Sequence, residues 1–298
     1  MAAAADSAAF SLGPTDRIVL AYAIALGALA ALCGAPALLA AICGLAAAVV
    51  AIARLASVSR ACSVVHDFAV VVFIPVLYGI NGPIVAAANP TRWDAELAAL
   101  DRAWFGALPA AWIGLWGRPV WLTEVASILY ATFYVIPLAI AVVLYRSHRR
   151  AEFHSFVFAV AATFLASYAG YLLAPAAGPR VAPGDETTLG GAAMGAWLQV
   201  FLHFFEWNRL DAFPSGHTAL ALVYLSLGWR LLPQWRWRLP LAVATVGIVF
   251  STVYLSLHYI VDLVAGAMLA AVMVAVSPVL YRFLLRNGPA PLAVPTGL

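Results

Sequence analysis

Apolar stretches close to the roughly 20 residues needed to cross a hydrocarbon core recur eight times, at about 18–34, 36–53, 64–81, 120–144, 153–174, 214–232, 239–256 and 259–281. None shows the strict alternation of a barrel strand, and an open sheet edge cannot face lipid, so each reads as a helix. The pattern predicts an all-α, polytopic membrane protein with about eight transmembrane helices. The first two stretches are short and divided only by Gly34, Ala35 and Pro36, which leaves open a hairpin of two spans or one merged, partly re-entrant segment. The first seventeen residues lack a basic leader region, so the run from Ile18 reads as a retained span rather than a signal peptide.

Two longer connections, 82–119 and 175–213, interrupt this rhythm. In the first, Trp93, Leu97, Leu100, Trp104 and Leu108 recur at helical spacing opposite Asp94, Glu96, Asp101 and Arg102. That predicts a helix lying in the membrane interface, apolar side to lipid and acidic side to water. The stretch 189–205 has a similar, more apolar character, and 175–191, containing several glycines and prolines, reads as a loop. Trp112, Trp116, Trp121, Trp197 and Trp207 are expected to set depth at the headgroup level.

Composition agrees with the hydropathy pattern. Apolar residues make up 65% of the 298 and charged residues 10%, against about one quarter charged in a soluble domain; the mean hydropathy is +0.96. All sixteen basic residues are arginine, and with the abundant alanine this suggests a GC-rich, bacterial genome. A net charge of +3, without a basic stripe, argues against nucleic acid as a partner. Cys33, Cys43 and Cys62 stand in or beside the first two spans in no ligand spacing and read as small apolar residues. With the N-terminus inside, eleven arginines lie on the inner side: 17, 54, 60, 146, 149, 150, 230, 236, 238, 282 and 286. Five, at 92, 102, 118, 180 and 209, lie outside. That asymmetry predicts both termini in the cytoplasm and both long connections outside.

Three polar clusters then fall on one outer face: Gly178-Pro179-Arg180, Phe213-Pro214-Ser215-Gly216-His217, and His258-Tyr259-x-x-Asp262. The second opens a helix, where free amides and the dipole suit an anion; its plainer reading is that Ser215 is an N-cap and His217 an interfacial histidine. In the third, a histidine and an aspartate four residues apart share one helix face, and a carboxylate one turn into the bilayer needs a partner, His258 or Arg180. An imidazole oriented in this way can attack phosphorus through its other nitrogen. His217 can protonate the leaving oxygen, and Arg180 offers a fork of donors to phosphoryl oxygens, with Ser215 and Gly216 beside it. The same two histidines and aspartate could bind zinc if they converged. Glu124 and Arg209 are on the outer side too, Glu124 within a span and therefore a candidate substrate contact. His66, Asp67 and His148 fall at inner ends, and His203 and Glu206 in the outer loop. A transporter would instead place paired broken helices at the midplane.

At these residues the chain resembles the type 2 phosphatidic acid phosphatase superfamily, whose second motif is Pro-Ser-Gly-His and whose third ends in His-x-x-x-Asp. The resemblance implies a single integral membrane domain over 1–298: two accessory helices at 18–53, then a six-helix lipid-phosphatase core over 64–281. It implies metal-free, cofactor-free catalysis on membrane lipid substrates, in which His258 takes the phosphoryl group, Asp262 orients it and His217 protonates the leaving group. The superfamily's first motif also has a lysine before Arg-Pro, where this chain reads Gly178-Pro179-Arg180 without any lysine, and its third begins Ser-Arg, where Ser251 and Thr252 stand. Arg209 and Arg118 are the cations available to replace what is lost. With Tyr254 before His258-Tyr259 and an acidic interfacial helix before Glu124, these departures resemble the inositol phosphorylceramide synthase branch. That branch transfers phosphoinositol between lipids, and Tyr254 and Tyr259 become candidate substrate contacts. Hydrolysis of phosphatidic acid or of a polyprenyl phosphate or diphosphate is the alternative.

Overall fold

The computed structural model describes residues 12–115, 117–179, 192–205 and 208–287. The regular structure among them is entirely helical: α1 (Pro14–Leu32), α2 (Pro36–Leu55), α3 (Arg60–Phe68), α4 (Val70–Ala88), α5 (Asp94–Phe105), α6 (Pro109–Leu115), α7 (Val120–Arg146), α8 (Arg150–Leu173), α9 (Ala193–Phe205), α10 (Gly216–Leu231), α11 (Trp235–Tyr254) and α12 (Ile260–Arg286). Among the described residues, seven segments are long and apolar enough to cross a membrane, α3 and α4 joining into one of them. The chain is an integral membrane protein. The predicted span at 214–232 is α10, which has only 16 residues and so a length of about 24 Å. It packs against α7, α8, α11 and α12, so protein rather than lipid covers much of its surface and a full bilayer-length apolar run is not required of it.

The first two stretches are two separate helices. Gly34, at φ +65°, makes the left-handed turn between them at no steric cost. α1 joins the core through a polar link as well as apolar packing. The Tyr22 hydroxyl donates to Asn81 Oδ1 at 2.8 Å, and Asn81 Nδ2 donates to the Tyr168 carbonyl at 3.4 Å. A buried amide between apolar helices needs such partners.

α8 is the hub, touching α1, α4, α7, α10 and α12. Lipid is as apolar as a leucine side chain, so close approach at small residues replaces hydrophobic drive between membrane helices. Gly266 of α12 shows this best. A Cβ there would lie 2.5 Å from the Ser215 carbonyl oxygen, so only glycine lets α12 reach the start of α10.

Arg17 donates to the Leu284 carbonyl at 3.0 Å, which brings the first and last described helices together at one end of the bundle. All eleven arginines assigned above to the inner side lie on helix termini or short turns at this end. The opposite end carries α5, α6, α9 and the starts of α10 and α12.

α5 forms where expected but turns its faces differently. Leu97, Ala98 and Asp101 are buried, while Leu100 and Trp104 are exposed. The acidic residue expected to meet water faces the protein, for a reason that lies in the site.

Candidate active site

The second and third sequence clusters meet through the main chain: the Ser215 N–H donates to the Asp262 carbonyl at 3.0 Å. Ser215, fully buried, caps α10 by accepting from the Thr218 N–H at 3.2 Å. A Cβ on Gly216 would come within 2.6 Å of the Tyr171 hydroxyl, so this glycine keeps the α10 start close to α8.

His258 sits in the turn between α11 and α12. Leu257 and His258 N–H groups both donate to the Thr252 carbonyl, at 2.9 and 3.2 Å, and Arg118 donates to Ser256 Oγ at 2.7 Å. On the imidazole, Nδ1 lies 2.9 Å from the Ala212 carbonyl and 3.5 Å from Asp262 Oδ2. A carbonyl only accepts, so Nδ1 carries the proton and Nε2 of the neutral ring is bare. That bare nitrogen faces His217 Nδ1 at 3.3 Å, and His217 Nε2 faces the Tyr130 hydroxyl at 2.7 Å. One consistent assignment follows for neutral rings: Tyr130 O–H donates to His217, His217 Nδ1–H to His258, and His258 Nδ1–H to Ala212. Asp262 and His217 address opposite nitrogens of His258, so the three side chains do not converge on a single point as zinc ligands would.

Asp262 is fully buried. Its Oδ2 accepts from the Tyr259 N–H at 2.8 Å, and its Oδ1 has no hydrogen-bond partner among the described residues. The nearest acceptor for the His258 ring is therefore a main-chain carbonyl, with the carboxylate slightly farther away.

Other carboxylates hold this end of the bundle together by accepting from backbone amides. Asp101 accepts from Ile260 and Val261, both at 2.9 Å, and so caps α12 from another helix. Burial pushes its carboxyl above the usual range while those two amides pull it back. Asp94 accepts from Ala177 at 3.0 Å and Gly178 at 2.9 Å, fixing the loop of the first cluster; Gly178 itself needs φ +80°. Glu124 accepts from Met194 and Gly195 at 2.8 and 2.9 Å, capping α9.

From His217 an apolar cavity of about 300 Å³ runs between α4, α7, α8 and α10 as far as Asp67. Tyr78, Tyr171, Gly216 and Asp211 line its upper part and Ile74, Pro137, Phe156 and Leu220 its length. The lining residues Val71 and Leu138 are exposed on the bundle's flank, so the cavity is a groove open toward the bilayer. Along α4 it extends about 12 Å, the rise of the eight residues from Val70 to Tyr78.

The family model of the PAP2 superfamily matches residues 95–276, well over half of the chain, from α5 into α12. The chain belongs to the PAP2 superfamily. Membership supports an activity of the lipid phosphatase or phosphotransferase type. Comparison with curated proteins and with solved structures gives no match.

Within this PAP2 chain the structure brings together Ser215, Gly216, His217, His258 and Asp262. Arg180 lies outside the described residues. Arg209 is exposed on the segment leading to Ala212. Tyr254 is buried with its hydroxyl 3.1 Å from Thr123 Oγ1, and Tyr259 is buried beside Leu97, Ala176 and Ala212; neither lines the groove. Sequence reasoning missed Tyr130, an aromatic residue in an apolar span with no local signal, and it missed the inward use of Asp94 and Asp101. Their i, i+7 spacing on α5, in phase with Leu97 and Ala98, was the available signal.

Proposed function

We propose that this PAP2 protein transfers a phosphate-linked head group, with phosphoinositol the leading candidate, from one membrane lipid to the hydroxyl of another through a phosphohistidine at His258. The observation that carries this is the bare Nε2 of His258, paired with His217 at the head of a bilayer-open apolar groove. The groove suits a lipid chain, and the imidazole pair suits a phosphorus centre at its head. His258 Nε2 attacks, His217 as an imidazolium gives one of its two ring protons to the leaving lipid oxygen and becomes neutral, and the acceptor alcohol later returns a proton to it as the alcohol takes the phosphorus. Asp262 and the Ala212 carbonyl hold the attacking ring, while Arg180, Ser215 and Gly216 are assigned to the phosphoryl oxygens.

Charge favours transfer of a diester over hydrolysis of a monoester. Two cationic positions of the superfamily pattern are absent here: there is no lysine, and Thr252 stands where arginine would. A phosphate monoester carries nearly two negative charges near neutrality and a diester one, so fewer cations suffice for the diester. Purified protein given a phosphoinositol lipid and a lipid alcohol is expected to form the exchanged lipid faster than it releases water-soluble phosphate. Hydrolysis alone, with inorganic phosphate released from a lipid monophosphate or diphosphate, would replace this reading with the phosphatase one.

The site is assigned to the extracytoplasmic face, supported by the eleven arginines at the other end. In a background without the three native cysteines, Thr91→Cys is expected to react with a membrane-impermeant thiol reagent in intact cells and Ser147→Cys not. Both positions are exposed, so the reverse pattern would invert the orientation.

A further inference from the structure

We propose that Tyr78 is a positioning residue that acts on His258 through the main chain of 208–212, holding the Ala212 carbonyl where it receives the His258 Nδ1 proton. This rests on the reading of His258 as the residue that takes the phosphorus. The Tyr78 hydroxyl, on α4, donates to Asp211 Oδ2 at 2.6 Å and also reaches the Asn208 carbonyl at 3.3 Å. Carboxylate and carbonyl oxygens only accept, so the donor direction is fixed, and a hydrogen bond to an ionised carboxylate is among the stronger kinds. Gly82 stands four residues farther along α4 and therefore on the same face. A Cβ there would lie 2.8 Å from Asn208 Cγ. Asn208 is itself buried, and its Oδ1 accepts from the Leu210 N–H at 3.2 Å. One face of α4 thus grips the segment at 208 and again at 211, immediately before Ala212.

The consequence falls on the attacking ring. The Ala212 N–H is tied to the Ala176 carbonyl at 3.0 Å, and the Ala212 carbonyl lies 2.9 Å from His258 Nδ1. If the preceding residues drift, the Nδ1 proton is left with Asp262 Oδ2, 3.5 Å away. Turning the ring toward that oxygen also swings Nε2, on its far side, away from the reacting phosphorus. α4 lies outside residues 95–276, the part of the chain that matches the family model, so this support comes from a helix that the match does not include.

The test is Tyr78→Phe, which keeps the ring that lines the groove and deletes only the hydroxyl. With a lipid donor, kcat is expected to fall about 10-fold, while KM changes less than about threefold. Gly82→Ala should act in the same way by displacing Asn208, although Gly82 does not line the groove. Histidine-selective nitrogen-15 labelling supplies a readout independent of turnover. The Nδ1–H resonance of His258, assigned by its loss in His258→Ala, should move in both variants as the bond to Ala212 weakens. Loss of activity with that resonance unmoved would place the effect of Tyr78 on the substrate and overturn the proposal. So would full activity in both variants when His258→Ala is inactive. If the resonance moves but His258→Ala keeps the parent activity, the link from Tyr78 to His258 stands and the phosphohistidine reading fails.

Discussion

Replacing His258 by alanine is expected to lower phosphoryl transfer by about 10⁴-fold or more while leaving a folded, monodisperse membrane protein. Of the described side chains beside it, Ser215 Oγ is buried and shared with Thr218, and His217 is the residue proposed to carry the proton. The change removes two side-chain hydrogen bonds, to Ala212 and to His217, in a turn whose main chain is held by Thr252 and Arg118, which is why the fold should survive. Brief incubation of the parent protein with radiolabelled donor, quenched in alkali, should trap an acid-labile phosphoryl adduct that His258→Ala does not form. Retention of more than about one hundredth of the parent rate would remove His258 from the mechanism. The parent should also keep its activity through exhaustive chelation; loss with EDTA and recovery with zinc would favour the metal reading.

Asp101→Ala is expected to lower kcat about 10²-fold with KM nearly unchanged, because Asp101 does not line the groove. Its two oxygens satisfy the Ile260 and Val261 amides, the first of α12 and immediately beyond His258-Tyr259. Without them, two donors at a buried helix start lose their acceptor, at a cost of about 2–4 kcal/mol, and the helix start can drift from the position that holds His258 over Ala212. Displacements on the order of 1 Å at a reacting pair cost about that factor in rate. Asp101→Asn, which keeps one acceptor oxygen, should fall between the two. Steady-state kinetics with thermal unfolding in detergent would check both effects, and a fully active Asp101→Ala protein would show that the α12 cap does not position His258.

α5 shows where pattern reading stops. Its helix was legible because the apolar residues recur with helical period, and a helix is the only local solution that satisfies its backbone at an interface. Which face meets protein was not legible. Leu97 and Asp101 share a face, and the partner that rewards burying a carboxylate lies about 160 residues away. The same holds at the third motif. The i, i+4 spacing places Asp262 beside His258, but Ala212, from a segment 46 residues earlier, provides the nearer acceptor.

The sequence by itself determined the class of protein, the span positions, the uneven placement of arginines along the chain and the chemical identity of the two short motifs. These depend on local runs: lipid demands an apolar stretch of set length with its backbone bonds satisfied internally, and the motif residues are adjacent or one helical turn apart. Only the tertiary structure decided that α10 could be short, that α5 turns Asp101 inward, that a groove leads to His217, and that Tyr130 meets its outer nitrogen. Each of these is a contact between segments distant in the chain, where a side chain's partner is set by how helices pack and not by its neighbours in sequence.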